Sequence, residues 1–264
     1  MQTSNDIRTP AEIYDELFVP ALFQQWAAVV LDAAKINPSS KVLDVACGTG
    51  VLALAAAGRV GTGGKVSALD ASPEMLGVAR RKSVRIEWHE GVAESLPFED
   101  NTFDAVVSQF GIMFFRDRIA ALKEMMRVLR RGGSLAVAVC DSLDHSPGYS
   151  TFAKLLERLF GTPVADAFRA PFVLGNPETL LSLCNDAGIE NAQVRQHSGQ
   201  VRFASIASLV STERACAWTL GGMLDDQQFE ELSREAELAL QPFAGENGDI
   251  AFEMPALIIT AHRP

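Results

Sequence analysis

A short apolar run, residues 41–46, passes without a linker into Cys47-Gly48-Thr49-Gly50, and a helix-forming stretch follows at once. Strand, glycine turn and helix in that order restrict the chain to a few architectures. Glycine admits positive φ and lets a ligand approach the backbone. The helix beyond it presents unpaired N–H groups. A ligand is therefore expected at the carboxyl edge of a parallel sheet, where doubly wound proteins bind nucleotides.

The pattern around this turn supports that placement. Residues 65–70, 84–89, 103–110 and 134–140 read as further strands, the last a continuous apolar run of the kind buried on both faces. Helices are expected between them. Ser72-Pro73 supplies a cap and an N1 proline for one of them. Residues 116–130 carry Ile119, Leu122, Met126 and Leu129 at helical spacing and stop at Gly132-Gly133. Strands alternating with helices predict a doubly wound α/β fold with a mostly parallel sheet. Thr9-Pro10-Ala11-Glu12 is a capping-box signal for an N-terminal helix, expected to break near Pro20 and resume over 22–34.

The second half is less regular. Residues 176–188 and 225–240 read as helices, 205–220 as another, 189–197 as a strand, and 250–262 as a closing strand bulged or placed at an edge by Pro255. The apolar stripe Phe152, Leu155, Leu156, Leu159 reads as core or as a substrate wall.

Composition excludes several classes. The formal net charge of −10 disfavours duplex nucleic acid and anionic membrane surfaces as partners. Arg80–Lys82 and Arg130-Arg131 read as solvated helix ends. Four cysteines, Cys47, Cys140, Cys184 and Cys216, and four histidines are scattered without zinc or disulfide spacing. No signal-peptide core or membrane-length apolar run is evident, so a cytoplasmic chain with reduced thiols, monomeric or homodimeric, is expected.

Two ligand classes fit the turn. Gly48, Gly50 and Ala53 match a dinucleotide fingerprint, and Asp70 lies 22 residues after Gly48, suited to a ribose. An NAD-dependent oxidoreductase is the natural rival on that basis. Asp44 argues the other way. A carboxylate beside the loop would repel a pyrophosphate and would suit a phosphate-free, cationic nucleoside.

VLDVACGTG (residues 42–50), LDAS (69–72) with Met75, GVAESLPFEDNTFDAVVSQFGIMFF (91–115) and EMMRVLRRGGSLAV (124–137) resemble, in this order, the motifs of class I S-adenosylmethionine-dependent methyltransferases. They are most similar to the type 11 group related to ubiquinone and menaquinone biosynthesis enzymes. The resemblance covers residues 40–140, about 40% of the chain. It implies a seven-stranded Rossmann-like fold with helical lid insertions. The expected organisation is one domain over 1–264, with an N-terminal helical cap (1–37), a cofactor-binding core (38–141) and substrate insertions (142–175 and 203–247). It also implies S-adenosylmethionine as cofactor, S-adenosylhomocysteine as product, and no metal.

Position by position, the resemblance places Asp44 near the methionine amino group and makes Ala46, Cys47, Gly48 and Gly50 the backbone cradle. Asp70 accepts from the ribose hydroxyls, Ala71 and Met75 cover the adenine, and Ala93 and Glu94 lie at its edge. Ser108 and Gln109 approach the methionine portion, and Tyr14 folds over the cofactor. Val92 departs from the pattern, since relatives commonly carry an aspartate there for the adenine amino group. No catalytic base is identified; His145 and His197 are surface or core histidines by default. Ser108-Gln109-Phe110-Gly111 is unlike the motif of enzymes that methylate nucleic-acid adenine or glutamine, so a small, fairly apolar organic acceptor, methylated on oxygen or carbon, is expected. A catalytically silent S-adenosylmethionine-binding protein is the remaining alternative.

Overall fold

The computed structural model describes residues 9–216 and 219–264. Nine strands form two sheets among these residues: β1 (Lys41–Val45), β2 (Lys65–Asp70), β3 (Ile86–Glu90), β4 (Phe103–Gln109), β5 (Leu129–Cys140), β6 (Gln193–His197), β7 (Gln200–Phe203), β8 (Ile250–Glu253) and β9 (Ala256–His262). Seven make the main sheet in the order β3-β2-β1-β4-β5-β9-β6. β1 to β5 pair in parallel, and β9 runs antiparallel between β5 and β6. The order reverses between β1 and β4, so their carboxyl ends diverge into a crevice. Val42, Leu43 and Val45 on β1, and Leu135 to Val139 on β5, are fully buried, because helices cover both faces of the strands.

The helices are α1 (Pro10–Ile13), α2 (Gln24–Ala33), α3 (Val51–Val60), α4 (Pro73–Lys82), α5 (Arg118–Val128), α6 (Pro147–Phe160), α7 (Thr162–Arg169), α8 (Pro177–Asp186), α9 (Ile206–Ala215) and α10 (Asp226–Ala239). α2 and α3 pack together, while α5 packs on α8 and on β4 and β5. Thr9 and Glu12 close the expected capping box of α1.

Four expectations require correction. Pro20 does not break the N-terminal helix: Tyr14–Phe23 is a π-helix running directly into α2. A proline lacks the N–H and crowds the carbonyl four residues back. The wider π-turn, with its i to i−5 bonds such as Gln24 N–H to Val19 O, relieves that crowding. α5 ends at Val128, before the glycines, because Leu129 is already extended and paired with Phe103. The Arg263 guanidinium donates to the carbonyls of Arg127 and Leu129 and satisfies that helix end. Pro255 splits 250–262 into two strands in different sheets: β8 pairs with β7 in a hairpin-like ribbon, and β9 joins the main sheet. The expected helix over 205–220 stops at Ala215; residues 217 and 218 lie outside the described residues, as does the 1–8 part of the N-terminal cap.

The helices of 142–175 and 203–247 pack on one another as a cap: α6 against α7 and α10, α9 against α10, and α6 against β8. Tyr149, Phe152, Phe168 and Phe252 interlock there in edge-on aromatic pairs. Phe152, Leu155 and Leu156 are buried as core, so that stripe is not a substrate wall. A Cβ at Gly148 would lie 2.3 Å from the Phe252 ring, which fixes how closely α6 approaches β8. Gly148→Ala should therefore destabilise the fold by about 1–3 kcal/mol through overpacking. Urea unfolding measures this, and Phe252→Leu in the same chain should recover part of the loss.

Candidate functional site

Asp44 is the last-but-one residue of β1 and is fully buried. Neither carboxylate oxygen meets full hydrogen-bond geometry with a protein group, although the Ala53 amide faces the carboxylate. Its pKa lies well above the ordinary value, chiefly from burial and next from the charge of Asp70; the Ala53 amide in the first turn of α3 offsets a part. Asp70 ends β2. Its Oδ2 accepts from Gly48 N–H (2.7 Å) and its Oδ1 from Ser72 N–H (2.8 Å). Burial still raises its pKa, against the pull of those amides. A carboxylate offers about four acceptor positions, so acceptor capacity remains for a ligand beside the Gly48, Ser72 and Ala71 amides.

The turn between β1 and α3 is held by backbone that few residues adopt. Ala46 has φ 59°, and Phe110, at the equivalent end of β4, has φ 55°. Gly111 lets the two turns touch, since a Cβ there would stand 2.5 Å from the Ala46 methyl. Gly50 has φ 90°, and its missing side chain is replaced by the Trp88 ring, 2.6 Å from where a Cβ would be.

These turns open into a cavity of about 670 Å³, within the range of small-molecule sites. Tyr14, Asp44, Ala46, Cys47, Gly48, Asp70, Ala71, Met75, Ala93, Glu94 and Gln109 line it. Gly50 and Ser108 do not: Gly50 seats Trp88, and Ser108 packs under Gly111. Tyr14, at the start of the π-helix, stacks with Phe18 and Phe23, while Gln109 Nε2 donates to Phe23 O (3.0 Å) and ties that helix to β4. Val92 lines the wall and is half exposed. Glu94 Oε1 is engaged by the amides of Arg116 and Asp117 (2.9 and 3.2 Å).

The long motif after β3 is pinned from below. Arg127 donates to the carbonyls of Leu96 and Phe98 and to Asp100, while Glu124 accepts from Leu96 N–H. The block at 91–100 and the block at 124–137 are thus one hydrogen-bonded unit that presents Gly91 to Glu94 to the cavity.

The other half of the cavity comes from the cap, through Tyr149, Phe168, Phe172, Glu213 and Thr219, with Cys140 at the end of β5 and Met254 after β8. Reading the sequence missed Glu213. It sits with Ile206, Leu209 and Val210 on the buried face of α9, so a carboxylate on an apolar stripe was a usable signal. Its Oε2 accepts from Thr219 Oγ1 (2.9 Å). Burial pushes its pKa up to about 7, against the hydrogen bond from Thr219 and the neighbouring Tyr149 hydroxyl. That hydroxyl is itself buried without satisfied hydrogen-bond geometry. His145 lies outside the cavity, in a separate polar groove beside Asp141, and His197 lies outside it as well.

The ubiE/COQ5 methyltransferase family matches residues 9–208. The chain belongs to that family. Among similar proteins is the demethylmenaquinone methyltransferase of Bacillus mycoides (strain KBAB4), 33% identical over 200 residues, covering 69% of this chain and 84% of the relative. That of Bacillus cereus (strain AH187) is 34% identical with the same coverage. The YcgJ protein of Bacillus subtilis superposes with a TM-score of 0.60 at 20% identity, covering 91% of this chain and 99% of the other. The [4+2]-cyclase SpnF does so with a TM-score of 0.57 at 20% identity, covering 97% of each chain. At such identity the structural likeness shows the fold alone.

The protein is therefore a class I S-adenosylmethionine-dependent methyltransferase acting on a small molecule. Its cavity fits that cofactor. Asp44 offers a buried carboxylate, short of hydrogen-bond partners, to cationic groups, and α3 offers its N-terminal amides to a carboxylate. A pyrophosphate on the glycine turn would meet the Asp44 carboxylate, which disfavours the dinucleotide rival. Among the described residues no group of three metal ligands occurs.

Since burial raises the pKa of Asp44, Asp70 and Glu213, each contributes stability at low pH that is lost as pH rises through its folded value. For Glu213 the window runs from 4.5 to about 7, an effect of about 3 kcal/mol. The cofactor-free methyltransferase should melt at higher temperature at pH 5.5 than at pH 8. Asp44→Asn should stabilise it by ~1–2 kcal/mol at pH 8 and weaken S-adenosylmethionine binding about tenfold or more. Calorimetric melting and titration check both.

Proposed function

We propose that the enzyme methylates a hydroxylated aromatic ring of low polarity, of the reduced-quinone class. The observation that carries this reading is the cap side of the cavity. Phe168, Phe172 and Tyr149 form an aromatic wall, and the Tyr149 hydroxyl and the Glu213 carboxylate are the polar groups set into it. Aromatic walls favour a flat apolar ring, and a few placed polar groups favour its hydroxyls. The demethylmenaquinone methyltransferases to which the chain is similar point to the same acceptor class. The net charge of −10 supports a small neutral acceptor over nucleic acid. No helix among the described residues is long and apolar enough to cross a membrane, in keeping with action in the cytoplasm on an acceptor drawn from elsewhere.

When bound, the cofactor supplies an electrophilic methyl group on a sulfonium. In this reading Asp44 faces its cationic end, Asp70 its ribose, and Ala71, Met75 and Ala93 its adenine. Val92 takes no polar part, which leaves backbone groups of the 91–94 turn to receive the adenine edge. Tyr14 and the π-helix cover the site and exclude water. Catalysis then rests on holding the acceptor in line behind the methyl.

The test is direct. Incubation with S-adenosylmethionine and a short-chain demethylmenaquinol should release S-adenosylhomocysteine and give a singly methylated quinol by mass spectrometry. Asp70→Ala should weaken cofactor binding by about 1–3 kcal/mol through loss of charged hydrogen bonds. Wild-type affinity in that variant would remove its assigned role.

A further inference from the structure

Methyl transfer to a ring hydroxyl, or to a ring carbon activated by one, is helped by a base that takes the hydroxyl proton. We infer that Glu213 is that base, held in place by Thr219 and paired with Tyr149. This rests on the hydroxylated acceptor proposed above.

Three observations converge on Glu213. It lines the cavity on the cap side, opposite the carboxylates of the cofactor side, and is 2% exposed. One of its oxygens is fixed by Thr219 Oγ1 at 2.9 Å. The Tyr149 hydroxyl beside it interacts with the carboxylate and can donate to it or to the acceptor oxygen.

Among the described residues the groups that face Glu213 are Tyr149 from α6, Cys140 from the end of β5, and Thr219 from the segment after α9. None is a cation, and burial raises the pKa of both Cys140 and Tyr149, so neither competes as a base. Asp44 and Asp70 belong to the cofactor side, and His145 and His197 stand outside the cavity. Burial brings Glu213 to about 7, matched to proton transfer near neutral pH.

The step balances simply. The acceptor O–H bond breaks and its proton goes to a Glu213 oxygen. The electron pair left on oxygen, or conjugated onto the adjacent ring carbon, forms the bond to the methyl group, and the methyl–sulfur pair stays on sulfur. For carbon attack, the ring C–H proton then returns to the oxygen, so one proton leaves in either case.

The test uses 1,4-dihydroxynaphthalene as probe and the full chain. Wild-type kcat/KM should rise with pH through a midpoint near 7 and then level. Glu213→Gln should lower kcat at least a hundredfold, abolish that limb, and bind S-adenosylhomocysteine with wild-type affinity. Thr219→Val should move the limb to higher pH, because it removes a hydrogen bond to the charged form. Independently of turnover, Glu213→Gln should weaken probe binding to the S-adenosylhomocysteine complex at pH 8 at least tenfold, and should lessen the pH dependence of melting in the cofactor-free protein, leaving the part due to Asp44 and Asp70. Turnover within threefold of wild type with an unchanged pH limb would overturn the inference. Wild type that binds the probe through Glu213 without methylating it would refute the acceptor reading and leave Glu213 as the proton-accepting site.

Discussion

Two carboxylates on adjacent strands, the buried Asp44 and the part-buried Asp70, with no cation between them among the described residues, govern the cofactor side of this molecule. Asp44 and Asp70 sit at the carboxyl ends of β1 and β2, and the charge of Asp70 adds to the cost of ionising Asp44. The sheet on one side and the N-terminal helices on the other hold Asp44 away from water. A site that stores such an imbalance favours a ligand that brings positive charge. The glycine turn and Asp70 would also suit a dinucleotide; the Asp44 carboxylate beside the turn is what disfavours a pyrophosphate there.

That electrostatic arrangement depends on backbone placement. The strand order reverses between β1 and β4, and the turns that follow them meet through Ala46 and Gly111. Positive φ at Ala46 and Phe110 is sustained by the surrounding sheet. Trp88 locks the glycine turn from behind, and Arg127 with Glu124 locks the neighbouring loop. The cradle is consequently preorganised by contacts that lie outside the cavity.

The cap contributes the opposite chemistry. Its aromatic pairs give an apolar wall, and its one deeply set acid, Glu213, is isolated from cations among the described residues. One side of the cavity thus suits a charged, polar cofactor and the other a flat, hydroxylated acceptor. The π-helix, tied to β4 through Gln109 and Phe23, spans the two.

The sheet core was legible in the sequence because strand and helix periodicities are local and the glycine turn has a fixed geometry. Asp44, Gly48 and Asp70 could be named from spacing alone, and the motif blocks implied the remaining cofactor wall. The π-helix through Pro20 could not be read, since a proline ordinarily ends a helix and only packing of Phe18 and Leu22 makes the wide turn worthwhile. Nor could the split at Pro255, where two neighbouring segments find partners distant in sequence. Gly50 and Ser108 do not line the cavity: Gly50 faces the Trp88 ring behind the turn, and Ser108 packs against Gly111. The chain by itself determined the cofactor edge, because strand, turn and helix are contiguous there. The acceptor side was decided by tertiary structure: Tyr149, Phe168 and Glu213 come from three separate helices, and burial, which no local pattern measures, gives Glu213 its chemistry.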